Sequence, residues 1–136
     1  MAARPNDDVE LMHRMLTAFN GNDVEGVLAA FDEDCTIVEP PEVPDTPQEG
    51  FRGHDGVRAW MANLRGIGGI EFTATSAEAQ GGVVFSEWTA RGLGQASGAP
   101  IAWTTFAVLH VRDGRILRAE AFLGEADARD AAARAE

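Results

Sequence analysis

The chain has 136 residues, close to the commonest size of one domain, and 45% of them are apolar, enough for one core. A formal charge of −11 with eleven scattered Lys and Arg argues against nucleic acid, whose phosphates need clustered cations. No apolar run approaches the roughly 20 residues of a membrane span, the first ten residues lack a signal-type apolar segment, and the single cysteine, Cys35, excludes an internal disulfide.

These features lead us to expect a cytoplasmic protein without membrane contact, with Cys35 packed and inert. No phosphate-binding glycine loop, HExxH or GxSxG motif occurs.

The first predicted element is a helix over residues 7–20. Leu11, Met12, Met15, Leu16 and Phe19 recur at spacings of three and four. Asn20-Gly21 stops it, and Asn22 or Asp23 caps a second helix with the stripe Val24, Val27, Leu28 and Phe31. Residues 32–34, all acidic, read as a turn. A short strand follows over 35–39, and residues 40–50 read as an irregular loop carrying three prolines in the stretch PPEVP. A third helix begins near RGHDG, with Val57, Trp60, Met61 and Leu64 on its apolar face and Gly66, Gly68 and Gly69 at its end. The period then changes to two. Strands are predicted over 71–78, 83–91, 101–112 and 115–123, the last two joined by the tight turn Asp113-Gly114. Residues 92–100 form a longer loop. The alanine-rich tail from 125 is either a final helix or a frayed end. Helices first and strands afterwards predict an α+β fold.

Three stretches, AFNGNDVEGVLAAFDEDCTIVEPPEVP, FRGHDGVRAWMANL and VLHVRDGRILRAEAFL, resemble the SnoaL-like, or nuclear-transport-factor-two-like, superfamily. The resemblance spans about residues 7–128. It implies one domain over 1–136 with flexible ends at 1–6 and about 129–136. It implies a cone-shaped, curved mixed sheet wrapped around the three helices of the N-terminal half, and a homodimer formed through that sheet. The superfamily holds ketosteroid isomerases, polyketide cyclases, epoxide hydrolases, dehydratases and proteins without known chemistry, so fold does not fix activity.

Glu39 stands where isomerase-like members keep a carboxylate base, at the end of the first short strand and before a proline. Their oxyanion hole uses a tyrosine and a protonated aspartate. This chain has no tyrosine; Met15 and Ala107 stand near the two matching places. Losing one such donor costs about 2.7–4 kcal/mol of transition-state stabilisation. The Asp–Arg–Asp arrangement of epoxide-hydrolase-like members is missing as well, with Trp88, Ala90 and Ala121 at its positions. A cyclase-like reaction needs only an acid or base and a shaped apolar pocket. Glu39 with His13 or His54 could supply that pair.

Two readings of Glu39 stay open. It is a strand-end surface carboxylate, or a pocket acid/base. His54 is a candidate proton carrier, against a helix-start packing role. His13 reads as a partly exposed helix residue, His110 as outward-facing at an interface, and Glu87 and Arg91 as solvated outer charges. The expected pocket is lined by Met15, Phe19, Ile37, Trp60, Trp88, Trp103, Thr105, Ala107 and Leu123, with residues 40–51 at its rim. Its ligand is expected to be a small hydrophobic or polycyclic molecule, with no cofactor and no metal. The function is then cofactor-independent isomerase, cyclase or hydrolase-like chemistry, or binding without chemistry.

Overall fold

The structure, a computed structural model, describes residues 5–94 and 97–134. In chain order it contains α1 (Pro5–Asn20), α2 (Val24–Ala30), β1 (Phe31–Val38), β2 (Phe51–Arg52), α3 (Gly53–Gly68), β3 (Glu71–Gln80), β4 (Val83–Leu93), β5 (Pro100–Arg112), β6 (Arg115–Phe122) and α4 (Glu125–Arg134). The strands form one six-stranded sheet in the order β2-β1-β6-β5-β4-β3. β1 runs parallel to β6, and every other neighbouring pair is antiparallel. The sheet is curved and unclosed, with β2 and β3 at its edges. This is the expected α+β cone, with a fourth helix added.

The helical stripes predicted from spacing supply the core. Leu11, Met12, Met15, Leu16 and Phe19 of α1 are buried, as are Val57, Trp60, Met61 and Leu64 of α3. They pack with the inward residues Val84, Trp88, Ala90, Ala107 and Leu109 of the sheet. Asp23 caps α2, its Oδ1 accepting from the Gly26 N–H at 3.0 Å. Asn20, at the end of α1, clips the helix to the edge strand. Its Nδ2 donates to the Phe72 carbonyl at 2.7 Å, and its Oδ1 accepts from the Phe72 N–H at 2.8 Å.

The acidic run 32–34 is not a turn outside the strand but a bulge within it. Phe31 pairs with Ile116 and Thr36 with Arg118, so β1 carries extra residues between the two contacts. Asp32 Oδ1 accepts from the Asp34 N–H at 2.8 Å, a local turn embedded in β1.

The loop after Glu39 is tied down at several points. Val43 is buried, its N–H bonding the Pro40 carbonyl at 3.0 Å, and Asn63 Nδ2 of α3 donates to the Pro44 carbonyl at 2.9 Å. Gly50 closes the loop at φ +91°, where a Cβ would sit 2.8 Å from the Ile37 carbonyl oxygen. That close approach lets Phe51 pair with Ile37.

The tail expected to be flexible from about 129 is helical to Arg134. Ala128 and Ala131 of α4 are buried on the outer face of the sheet, against Val83, Phe85 and Val108. Arg129 clamps the helix down. Its guanidinium lies 4.3 Å from the centroid of the Phe85 ring and bonds Glu78 at 3.1 Å and Glu125 at 2.8 Å. α4 thus occupies part of the face proposed from sequence as a dimer surface. Among the described residues, no helix is long and apolar enough to cross a membrane.

Candidate active site

Glu39 follows directly after β1. The alternation of the strand puts it on the same side as buried Ile37. Its carboxylate meets α3: the Trp60 indole Nε1–H donates to Oε1 at 2.8 Å. Trp60 is held by aromatic neighbours. The Phe19 ring lies 5.0 Å away at 45°, and Phe31 lies 6.4 Å away edge-on.

Among the described residues Trp60 is the one hydrogen-bond partner of Glu39, and Oε2 has none. Burial destabilises the charged form and pushes the Glu39 carboxyl up to about 7, with the Trp60 hydrogen bond pulling the other way. Replacing Trp60 with phenylalanine removes that donor and keeps most of the ring packing. A hydrogen bond to a charged group is worth about 1.5–3 kcal/mol, so the carboxyl should titrate roughly one unit higher. A 13C NMR titration of the Glu39 side-chain carboxyl in Trp60→Phe would show this. An unchanged midpoint would mean that the indole does not stabilise the ionised form.

Behind the carboxylate lies a cavity of about 20 Å³, room for about one water. Met15, Ile37, Trp60, Trp88 and Ala107, all named from sequence, surround it with Glu39 and Phe31. Trp88 is buried inside the cone. Its ring packs 5.3 Å from Phe72, and its Nε1–H donates to Ser86 Oγ at 3.0 Å. The Ser86 hydroxyl in turn donates to the Ser76 carbonyl at 2.6 Å.

The other residues named from sequence lie elsewhere. Phe19 packs on Trp60 and Phe72 without reaching the cavity. Trp103 is partly exposed at the margin of the core. Thr105 is buried, with Oγ1 bonding the Phe122 carbonyl at 3.3 Å. Leu123 is 42% exposed and lies on the outside. His54 donates from Nε2 to the Phe31 carbonyl at 3.0 Å, joining the start of α3 to the start of β1, and is not among the cavity residues. His13 is exposed on α1.

His110 faces outward, level with Arg118 of β6. Its Nε2 is buried without a partner, and burial pulls its pKa down. The places where relatives keep polar groups are apolar in space too. Met15, Ala107, Trp88 and Ala121 all line the cavity, with Ala107 directly opposite Ala121.

Sequence reasoning missed two things here. One is Trp60 as the donor to Glu39. The signal was available, since a core tryptophan needs an acceptor for its N–H and Glu39 is the acid nearest the cone. The other is an open groove of about 340 Å³ on the far side of Glu39, lined by the loop that follows it, the end of β6 and the start of α4.

Solved structures share this fold. TerC, crystallised with polyporic acid, superposes with a TM-score of 0.76 at 20% identity, covering 91% of this chain and 96% of its own. An NTF2-like protein of unknown function from Burkholderia pseudomallei gives 0.76 at 20% identity, over 89% and 93%. A protein assigned to the SnoaL-like polyketide cyclases, from Jannaschia, gives 0.75 at 14% identity, over 100% and 97%. Among curated proteins none matches the sequence. The sequence profile of the SnoaL-like domain matches residues 12–119, most of the chain, and the chain therefore belongs to the SnoaL-like domain family.

Proposed function

We propose that this chain is a cofactor-independent proton-transfer enzyme, of isomerase, cyclase or lyase type, acting on a small hydrophobic or polycyclic compound with Glu39 as its acid/base. The observation that carries the reading is the setting of Glu39. Its carboxylate is fixed at one oxygen by Trp60 and bare at the other, in surroundings that bring its ionisation to about 7. A base working near neutral pH needs such a value, because it must be largely deprotonated and still basic enough to take a proton. The chain has no tyrosine, and Glu120, the second acid at the cavity, is paired with Arg118, so an enolate would gain little stabilisation, which favours substrates that are already acidic at carbon. His54 is spoken for by Phe31 and has no part in this reading.

The test uses a carbon acid that reports proton transfer directly. Deuterium exchange at C1 of 2-tetralone, followed by NMR in D₂O, should run above the buffer rate with the parent protein. The Glu39→Gln variant should lose about 10²–10⁴-fold of the enzymatic exchange, the usual contribution of a general base. Full exchange in the variant would sink the assignment.

A second reading has its own support. The cavity inside the cone admits about one water and no organic molecule, which suits a binding or dimeric module without chemistry. Polyporic acid, the compound present in the TerC crystals, is a suitable probe. Tryptophan quenching by it that is equal in the parent and in Glu39→Gln, with no exchange of 2-tetralone, would favour this alternative.

A further inference from the structure

The space inside the cone and the space outside Glu39 differ by more than tenfold. The inner cavity holds about 20 Å³, while the outer groove, at about 340 Å³, is within the range of small-molecule sites. Glu39 lines both. A substrate can therefore meet this carboxylate without any rearrangement of the aromatic core only from the groove.

The groove has two kinds of wall. Pro40, Pro41, Phe122 and Leu123 give it an apolar side, and Leu123 is one of two exposed large hydrophobic residues among those described. Glu39, Glu42, Glu120 and Asp127 give it an anionic side. The basic residue paired with these acids is Arg118, which bonds Glu120 Oε1 at 2.9 Å. Arg118 is not part of the lining, so among the described residues the groove itself carries no cation. Exposed acids alone would signify little. Here the half-buried Glu39 carboxylate, which also lines the inner cavity, backs them, with one oxygen held by Trp60 and the other without a partner among the described residues.

We infer that the groove between residues 38–42, the end of β6 and the start of α4 binds a small apolar ammonium compound. Its ring system packs on Phe122 and Leu123, and its charged nitrogen lies toward the acids around Glu39. An anionic compound of the same shape is excluded by like charge, which the −11 of the whole chain reinforces at long range. The inference rests on Glu39 as the working group and names the class of substrate and the side from which it enters.

Three probes of one shape test the charge preference at pH 8: 2-naphthylmethylammonium, 2-naphthylmethanol and 2-naphthoate. The ammonium should bind at least tenfold tighter than the alcohol, and the naphthoate should not bind measurably. In 15N–1H spectra the ammonium should shift the amides of Val38, Glu42, Leu123 and Gly124. Leu123→Arg, at an exposed position, should keep the parent circular dichroism and lose at least tenfold in ammonium affinity. Equal binding of the three probes, no binding of the ammonium, or shifts confined to Val84, Ala107 and Leu109 would each overturn the assignment. These outcomes are independent of catalysis. Unchanged 2-tetralone exchange in Glu39→Gln removes Glu39 as the base, whereas ammonium binding insensitive to Leu123→Arg removes the groove.

Discussion

At pH 8 the Glu39→Gln variant should be more stable than the parent protein by about 3 kcal/mol. The sign follows from linkage. The folded carboxyl titrates near 7 against an ordinary 4.5, because burial penalises its charge. Between those two values the folded state holds a proton that the unfolded state has released. Stability from this group is therefore fully present below about 4.5, falls as pH rises to about 7, and stays low above it. A difference of about 2.5 units at about 1.4 kcal/mol per unit gives the 3 kcal/mol.

Glutamine has the same shape, can accept the Trp60 N–H, and carries no charge to bury. Its variant should lack this part of the pH dependence and match the parent near pH 4. Thermal melts should show a rise of roughly 10 °C at pH 8. A variant no more stable than the parent at pH 8 would mean that the charge is well solvated. The same substitution is expected to abolish proton transfer, so stability and activity oppose each other at this one position.

The second large effect concerns Trp88. Trp88→Ala should destabilise the fold by about 3–5 kcal/mol, the usual cost of removing a large buried side chain. The ring is 4% exposed, packs on Phe72 and closes one wall of the inner cavity. Its N–H also satisfies Ser86, although that hydroxyl keeps its bond to Ser76. The space left behind is the size of an indole. Millimolar indole should accordingly raise the melting temperature of Trp88→Ala and leave the parent unaffected. Trp103→Ala is the control, since Trp103 is only partly buried and its removal should cost far less. Equal losses for the two would show that Trp88 has no special place in the core.

Much of this was legible in the sequence. The stripes of α1 and α3 follow from apolar spacing, and the strands from β3 onward follow from alternation. The direction of Glu39 stayed open in the sequence, and its hydrogen bond to Trp60 and its place at the cavity put it on the side of Ile37. Other features were not legible, for physical reasons. The acids at 32–34 carry a genuine local turn signal, and only pairing with β6 shows that the turn is enclosed within β1. β2 is two residues long and is defined by its partner, not by its own pattern. The alanines of α4 form a stripe too weakly apolar to announce a docking face, and the Arg129 clamp joins residues far apart in sequence. Of the pocket residues expected from sequence, Met15, Ile37, Trp60, Trp88 and Ala107 surround the cavity, while Phe19, Trp103, Thr105 and Leu123 do not. Whether those side chains leave a void depends on rotamers and curvature, and here a cavity of only about 20 Å³ remains between them.

The parallel pairing of β1 with β6 has a consequence for the order of events in folding. Glu39 is set by β1, and β1 lies between a two-residue strand and β6, which is the last strand of the chain. Closing so long a loop is entropically slow, and contacts of this kind form late. On the ribosome, the α1 and α3 stripes and the hairpins of β3, β4 and β5 can associate before β6 has emerged. The bulge, Glu39 and the groove against the start of α4 cannot. The setting of Glu39 and the groove beside it thus come together only after β6 has been made, and a chain ending at Asp113 would keep most of its core residues and lack both.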